Sequence, residues 1–465
     1  MDDINFETWA ALEFGSAELG DSRRTRRLVE VAAAAAERPA GTLTEVFVEG
    51  AAREAAFRLV ENRGISPTEV ATAAHRGCAA RAAAFPFVFV PVDGTSLNLA
   101  DWQRRKRLGV VGARFVGAQG LQVMSALALS PDGVPLGICA QEYWARTRPS
   151  PCRRGRVDKR RPEEKETARW LSVMAHVRSV LVSLAPETKP WFQLDRGGDA
   201  WPVLLQGIEP GQLFTVRASR NRRLWSDADE PRRYLWEELE RALVLGHYNF
   251  AVPGGPARSA REARMEVRSA DVTFCLQKYP TKQHVPATLY AVLVREVSTV
   301  PAGEAPLEWM LLTTYEVHDL ADAQTVVRGY AQRWRIEEFH RIWKTGRCNV
   351  EDTQLGDRDN IIRWAIILAS VAARILRISY LGRNQPELAA AEEFEREEID
   401  AVIILRKPVG CRRGSMPTIG QLVRWLADLG GYTGELSGGP PGAIVIGRGL
   451  QRIQPVVELL KGGEL

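Results

Sequence analysis

The stretch FPFVFVPVDGTSL, residues 85–97, has the sequence pattern of a buried strand, with an acid directly after the apolar run, and it indicates a protein built around a sheet. Its Val- and Phe-rich apolar run is typical of a strand covered on both faces. We expect this strand to end at Asp93. Two further apolar runs, 121–129 and 134–140, are separated by a Pro-Asp-Gly turn signal. The three runs together predict an antiparallel meander.

Helix and strand patterns alternate after the meander. A helical pattern runs from Pro162 to about Leu184, a fourth strand over 191–194 ends at Asp195, and a fifth strand covers 212–218. Short β-like runs over about 245–300 indicate an inserted β subdomain. The sequence therefore predicts an α/β fold, a mixed sheet flanked by helices.

Both ends of the chain have helical patterns. Residues 1–72 include an Ala-rich stretch that stops at Pro39 and a helix-start signal, SPTE, at 66–69. After about residue 381 come a Glu-rich helix, the turn signal RKPVGCRRG and a final helix over about 450–460. We therefore divide the chain into segments 1–72, 73–380 and 381–465.

Composition narrows the class of protein. The chain has 465 residues, 45% of them hydrophobic, and a formal net charge of +5. This excess of basic residues favours a polyanionic partner, although a high-GC genome, which favours arginine codons, would produce the same excess. The six cysteines form no C-x-x-C pair, which disfavours a zinc site or disulfide framework and suits a reducing cytoplasm. An acidic amino terminus and the lack of an apolar run of about 18 residues disfavour secretion and membrane spanning.

Two aspartates follow predicted strands. Asp93 and Asp195 each come directly after an apolar run, where α/β sheets place ligands and catalytic groups. A single aspartate at such a position is more often a turn former or helix cap. Asp199 competes with Asp195, but Asp195 closes its strand directly.

A third acid lies in YAQRWRIEEFHRIWK, residues 330–344. On one ideal helix, five side chains share a stripe about 80° wide: Tyr330, Arg333, Glu337, Arg341 and Lys344. Glu338 falls outside it. Ion pairs four residues apart could explain part of this stripe structurally. Three carboxylates from two strand ends and a helix would also suit two Mg²⁺ ions about 3.5–4 Å apart, with the cations holding a phosphodiester against them.

These acids and the pattern Y-x2-R-x3-E-x6-K resemble the DDE transposases of the IS-four family, in particular those like the transposase of the Tn-five transposon. The resemblance covers nearly the whole chain, and it includes these further stretches: WAALEFGSAELGDSRRTRRL, AAFRLVENRGIS, DGTSL, LDRGGD, EWMLLTT and GPPGAIVIGRGLQRIQ.

The resemblance implies a ribonuclease-H-like catalytic domain over 73–380 with its β insertion, a helical DNA-binding domain over 1–72 and a helical dimerisation domain over 381–465. It implies cut-and-paste transposition of an insertion sequence: nicking at the element ends, hairpin formation and opening, and strand transfer into target DNA. Two protomers would hold two ends of double-stranded DNA, the terminal inverted repeats.

The resemblance also implies roles for single residues. Asp93, Asp195 and Glu337 would be catalytic metal ligands for two Mg²⁺ ions, which Mn²⁺ could replace. Trp309 would receive a flipped base, although a tryptophan opening an apolar strand is often a core residue. The remaining expected DNA contacts are Arg23, Arg24, Arg27, Arg217, Arg220, Tyr330, Arg333, Arg341 and Lys344, with Arg222 and Arg223 as further candidates.

Other interpretations stay open. A metal-dependent endonuclease of the same architecture would cut DNA without joining it, and an inactive form would act as an inhibitor. A DNA-binding regulator would use these acids only structurally, and a glycosidase with paired carboxylates is the most distant alternative. The segment 146–161, with eight bases and one acid, would bind target DNA or be a solvated loop.

Overall fold

The computed structural model describes most of the chain, namely residues 6–101, 103–112, 118–146, 166–226, 231–252, 254, 258–278, 281, 283–434 and 439–463. Apart from Arg146, the basic segment 146–161 lies outside the described residues, as does the predicted helix start at Pro162. The role of this segment therefore stays a prediction.

Five helices begin the described chain: α1 (Phe6–Phe14), α2 (Ser22–Glu37), α3 (Leu43–Val46), α4 (Gly50–Val60) and α5 (Pro67–Ala82). The predicted helix-start signal is confirmed, since Ser66 and Glu69 form a reciprocal capping box at α5. Helix α2 ends one residue before Arg38, just ahead of Pro39 as expected. The predicted domain limit at residue 72 falls within α5, which packs against both α1 and the central sheet.

Within the described residues, ten strands form one sheet: β1 (Phe87–Asn98), β2 (Gly109–Val110), β3 (Gln119–Leu129), β4 (Pro135–Trp144), β5 (Lys189–Leu194), β6 (Leu213–Arg217), β7 (Val244–Val252), β8 (Arg261–Lys278), β9 (Gln283–Glu296) and β10 (Glu308–Thr313). Their order is β2-β3-β1-β5-β6-β10-β9-β8-β7, and β4 pairs with β3. The neighbours β1, β5 and β6 are parallel, and the other pairs are antiparallel. The predicted mixed sheet and its meander are confirmed.

Nine helices complete the described part: α6 (Thr167–Leu184), α7 (Trp201–Gly207), α8 (Leu235–Arg241), α9 (Leu320–Ala331), α10 (Trp334–Arg341), α11 (Arg358–Asn384), α12 (Arg396–Arg406), α13 (Ile419–Leu429) and α14 (Ala443–Lys461). Helix α11 is buried on nearly all sides because apolar residues surround it, and helices from both ends of the chain pack on it. Among the described residues, none of the helices has the length and apolar character that crossing a bilayer requires.

Strand β1 does not end at Asp93, contrary to the sequence prediction. It continues to Asn98, still paired with β3, while its parallel pairing with β5 stops at Val92 opposite Leu194. The apolar run stops at Asp93 because most residues that follow it in β1 are less buried than Val88 to Val92.

The predicted β insertion is present, but it is not a separate sheet. Strands β8 and β9 form a long hairpin of 18 and 14 residues. Strand β9 also pairs with β10, which pairs with β6, so the insertion extends the central sheet. The apolar runs in the sequence are shorter than these strands because charged residues on the exposed face alternate along each strand with apolar residues on the buried face.

The helix predicted from Asp319 past Lys344 is interrupted. Helix α9 ends at Ala331, and α10 begins at Trp334 after a turn in which the amides of Arg333 and Ile336 bond to carbonyls three residues back. A π-helical turn over Ile342–Gly346 follows α10. The five-residue stripe of the ideal helix is therefore distorted at both ends.

Candidate active site

Asp93 and Asp195 lie side by side where the parallel pairing of β1 with β5 stops. Val92 is paired in register with Leu194, on strands about 4.8 Å apart. The residues that follow them, Asp93 and Asp195, therefore lie beside each other. Oδ1 of Asp93 accepts a hydrogen bond from the amide of Gly94 at 2.8 Å. Oδ1 of Asp195 accepts one from the amide of Gly197 at 2.7 Å. These local bonds hold both carboxylates at the edge of the paired region.

Arg333 connects the third acid to this pair. Helix α10 packs on β1 through a buried face that includes Ile336 and Phe339. Nη2 of Arg333 lies 2.7 Å from Oε1 of Glu337, and Nη1 lies 3.4 Å from Oδ2 of Asp93. The guanidinium is nearly buried, with a relative exposure of 8% for the residue. One cation thus contacts acids from the helix and from the sheet.

Negative charge is concentrated around Asp93. Burial, followed by the nearby Asp195 carboxylate, raises the pKa of Asp93 to about 6. Glu337 raises it further, whereas the Gly94 amide and Arg333 act in the opposite direction. Burial alone would lower the pKa of Arg333, but the hydrogen bond from Arg333 to Glu337 and the surrounding negative charge raise it overall. The three acids therefore interact electrostatically.

The three carboxylates suit a divalent cation by their chemistry. Hard oxygen donors are the ligands that Mg²⁺ and Mn²⁺ prefer, and a cation would relieve the repulsion that, together with the larger effect of burial, raises the pKa of Asp93. As they stand, the described residues hold no group of three or more His, Cys, Asp or Glu side chains placed for a metal ion. A cation would have to compete with Arg333 for Glu337. The acids fit as donors, and a cation bound to Oε1 of Glu337 or to Oδ2 of Asp93 would displace Arg333 from that oxygen.

Tyr330 lies near Arg333 and contacts the ring of Trp309. Tyr330 is buried, and burial raises its pKa, with Arg333, Arg217 and Asp195 close enough to influence it. Its ring centroid lies 6.0 Å from that of Trp309, which is half-buried at the start of β10. Trp309 also meets Phe250 edge to face at 5.9 Å. Trp309 is thus partly packed and partly exposed, which fits both a core residue and a residue that stacks on a flipped base.

Lys344 reaches the site from the π-helical turn. Its Nζ lies 3.5 Å from Oγ1 of Thr95, which shares a face of β1 with Asp93. The same Nζ lies 3.5 Å from Oε1 of Glu351, which also accepts a hydrogen bond from the amide of Asn98. Arg341 is exposed at the end of α10. The structure therefore places Lys344 beside β1 and leaves Arg341 at the surface.

The basic stretch after β6 divides into two kinds of residue. Arg222 is not a free DNA contact, because its Nη2 lies 2.6 Å from Oδ1 of buried Asp199. Oδ2 of Asp199 accepts bonds from the amide and hydroxyl of Ser219. Both Asp199 oxygens are occupied, which supports the choice of Asp195. Arg217, the last residue of β6, donates to the carbonyl of Glu308 at the start of β10, and Arg220 is exposed.

The amino-terminal arginines lie on the first turns of α2, as the sequence predicts. Arg23 is exposed and pairs with Asp21, and Arg27 pairs with Glu30. Arg24 instead donates to the carbonyl of Leu19 and is half-buried. Arg23 and Arg27 can reach a partner at the surface, whereas Arg24 also holds the preceding loop.

Two residues near the site were not predicted from the sequence. Glu351, paired with Lys344, gave no signal because it lies in a short turn outside any periodic element. Trp334 is 58% exposed, and the guanidinium carbon of Arg333 lies 5.2 Å from its ring centroid. A tryptophan on the polar side of an amphipathic helix was a signal that could have found it.

Three models of known families match the chain, in order along the sequence. A model described as transposase DNA-binding matches residues 6–65. A transposase DDE domain matches 178–373, and a transposase Tn5 dimerisation domain matches 370–462. The DDE match implies a ribonuclease-H-like fold, in agreement with the mixed sheet, and such domains use divalent metal ions. With its DNA-binding, catalytic and dimerisation regions in this order, the chain belongs to the DDE transposases of the IS-four family, enzymes that cleave DNA and transfer its strands, and is like the transposase of the Tn-five transposon.

Proposed function

We propose that this transposase moves its element by a cut-and-paste route. It nicks DNA at the element ends, forms and opens hairpins there, and joins the freed 3′-hydroxyls to target DNA. The observation that supports this best is the contact of one guanidinium, Arg333, with both Asp93 and Glu337 beside Asp195. A regulator that only binds DNA would have no use for a carboxyl whose pKa is raised to about 6 by burial and by neighbouring acids.

Asp93, Asp195 and Glu337 are the proposed ligands of two divalent ions, Mg²⁺ or in its place Mn²⁺. Such ions, when bound, would activate the attacking oxygen and stabilise the leaving oxygen of an in-line displacement. Arg333 contacts both Asp93 and Glu337 in the free protein and offsets part of their negative charge. Released from them, its guanidinium is positioned to bind a phosphate of the DNA.

The side chains around the acids hold and orient the DNA. Lys344, Arg341, Arg217 and Arg220 supply cations for the phosphates on either side of the cleavage point. Trp309 offers a partly exposed ring on which a displaced base would stack, a contact worth about 1–3 kcal/mol. Tyr330 supports that ring and lies beside Arg333.

The terminal regions bring the DNA and a second subunit to this site. We propose a helical DNA-binding domain over 1–72, with Arg23, Arg24 and Arg27 on α2 toward the element end. The catalytic domain would occupy 73–380, and the dimerisation domain 381–465. A homodimer would hold both inverted repeats, working on DNA in the cytoplasm.

A strand-transfer assay tests the proposal. The purified protein, Mg²⁺, a duplex ending in the element's own inverted repeat with a free 3′-hydroxyl, and a supercoiled target plasmid should give a joined product. A metal-dependent endonuclease would cut the plasmid without joining. A DNA-binding regulator would retain the duplex and produce neither product.

A further inference from the structure

The connection between α12 and α13 carries charge that the active site does not use. Residues 405–416, the last two residues of α12 and most of the connection after it, are here called the C-terminal basic loop and contain four cations and no acid: Arg406, Lys407, Arg412 and Arg413. Most of the loop is exposed, and Val409 at its tip is fully so. A set of unopposed cations on an exposed loop needs either solvent or an anionic partner.

Only half of these cations have an acid nearby. Nε of Arg406 lies 3.1 Å from Oδ2 of Asp428, and Nε of Arg413 lies 3.9 Å from Oδ2 of Asp400. Within the described part of the chain, Lys407 and Arg412 have no acidic side chain within ion-pair distance. Their charges are therefore available to a partner at no cost in lost internal pairs.

The loop is fixed by hydrogen bonds within it and to Asp400 of α12. The amide of Gly414 donates to Oδ1 of Asp400 at 2.9 Å. The amide of Ser415 donates to the carbonyl of Arg412, whose own amide donates to Oγ of Ser415. Lys407 ends α12 in the left-handed region, with φ of 50°. Because the backbone is already ordered, a partner that binds the cations loses little conformational entropy in this loop.

The charge of the loop selects the kind of partner. In a symmetric dimer, the same patch faces itself, so a contact between two copies of this loop would oppose cations to cations. Duplex DNA carries one negative charge per about 1.7 Å of its axis and matches a short row of cations without requiring a particular sequence.

We propose that the C-terminal basic loop binds the phosphate backbone of duplex DNA outside the active site, with Lys407 and Arg412 as its main contacts. This inference rests on the proposed function, in which one protein must hold both element and target DNA. It gives the region matched by the dimerisation model a DNA contact of its own.

The test uses the full-length protein with Lys407→Asn and Arg412→Gln combined. Asparagine removes the charge and tolerates the left-handed backbone at 407. Arg328→Gln, at an exposed position on α9, is the matched control. Affinity for a random-sequence duplex is measured by fluorescence anisotropy from 50 to 200 mM salt. We expect the log–log salt slope of the double variant to fall by about 0.9 for each lost phosphate contact, and the control to keep the wild-type slope.

A double variant that melts at the wild-type temperature and keeps the wild-type salt slope would overturn the inference. So would an altered sedimentation mass with an unchanged slope, because the loop would then contact another chain. If the wild-type protein itself bound DNA independently of salt, the proposed function would fail instead of this inference alone.

Discussion

Arg333 and Glu337 form an ion pair with Nη2 of the arginine 2.7 Å from Oε1 of the glutamate, and the same guanidinium reaches Asp93, 240 residues earlier in the chain. Four residues apart on a helix, such a pair would ordinarily be a surface feature of small energetic value. Here the arginine is nearly buried and lies between acids from two elements, so its neighbours repel each other without it.

Removing this cation should impair the reaction more than it impairs the fold. Arg333→Gln leaves Asp93 and Glu337 without their shared partner and removes a proposed phosphate contact. We expect strand joining to fall by about 10²–10³, the usual effect of losing one preorganised charged donor. Arg335→Gln is the control, since Arg335 pairs with Glu338 at 2.8 Å on the same helix. Equal joining rates for the two variants would contradict the role given to Arg333.

Asp93 should lower the stability of the metal-free protein. Its folded-state pKa, about 6, is above the ordinary value of 3.8, so the native carboxyl binds a proton more tightly than the unfolded one. Stability is therefore lost as pH rises from about 4 to 6, and the loss is complete at neutral pH. Asp93→Asn removes it and should raise the free energy of unfolding at pH 7.5 by roughly 1–3 kcal/mol.

Denaturant unfolding in EDTA at pH 4 and at pH 7.5 measures this effect. The difference between Asp93→Asn and the wild type should be small at pH 4 and clear at pH 7.5. A variant less stable than the wild type at pH 7.5 would show that Asp93 is a structural acid. DNA joining by this variant should be absent even though the protein is more stable.

Gly329 allows α9 to approach the sheet closely. A Cβ there would lie 2.5 Å from Cε1 of Phe89 and 3.1 Å from Nε2 of Gln193. Gly329→Ala should therefore destabilise the fold by about 1–3 kcal/mol and displace the neighbouring Tyr330. Gly356→Ala, where a Cβ would meet nothing within 4 Å, serves as the control. Thermal melting compares the two, and equal melting temperatures would argue against close packing at Gly329.

Local signals predicted much of this fold. The capping box at Ser66 and Glu69, the helix stop before Pro39 and the apolar runs of β1, β3 and β5 were all readable, because each depends on residues close in sequence. The acid directly after each of the apolar runs of β1 and β5 was likewise readable, although only Asp195 follows the end of its strand.

Long-range contacts could not be predicted in the same way. The continuation of β1 to Asn98 depends on pairing with β3, and the place of β9 in the central sheet depends on β10. The turn between α9 and α10 interrupts the single helix that the five-residue stripe assumed. Helix α10 packs on β1, a contact between residues far apart in sequence. The pairing of Arg222 with Asp199 required the folded loop after β5.

We propose that Asp93, Asp195 and Glu337 act together in catalysis. A single isosteric substitution at any one of them should then abolish strand joining. The four proteins to compare in Mg²⁺ with precut element ends are Asp93→Asn, Asp195→Asn, Glu337→Gln and the control Glu338→Gln, the last at the neighbouring acid paired with Arg335. Joint action of the three acids predicts no joined product from the first three, DNA retained by all four, and joining at the wild-type rate by Glu338→Gln. Wild-type joining by any of the first three, or its loss in Glu338→Gln alone, would contradict it.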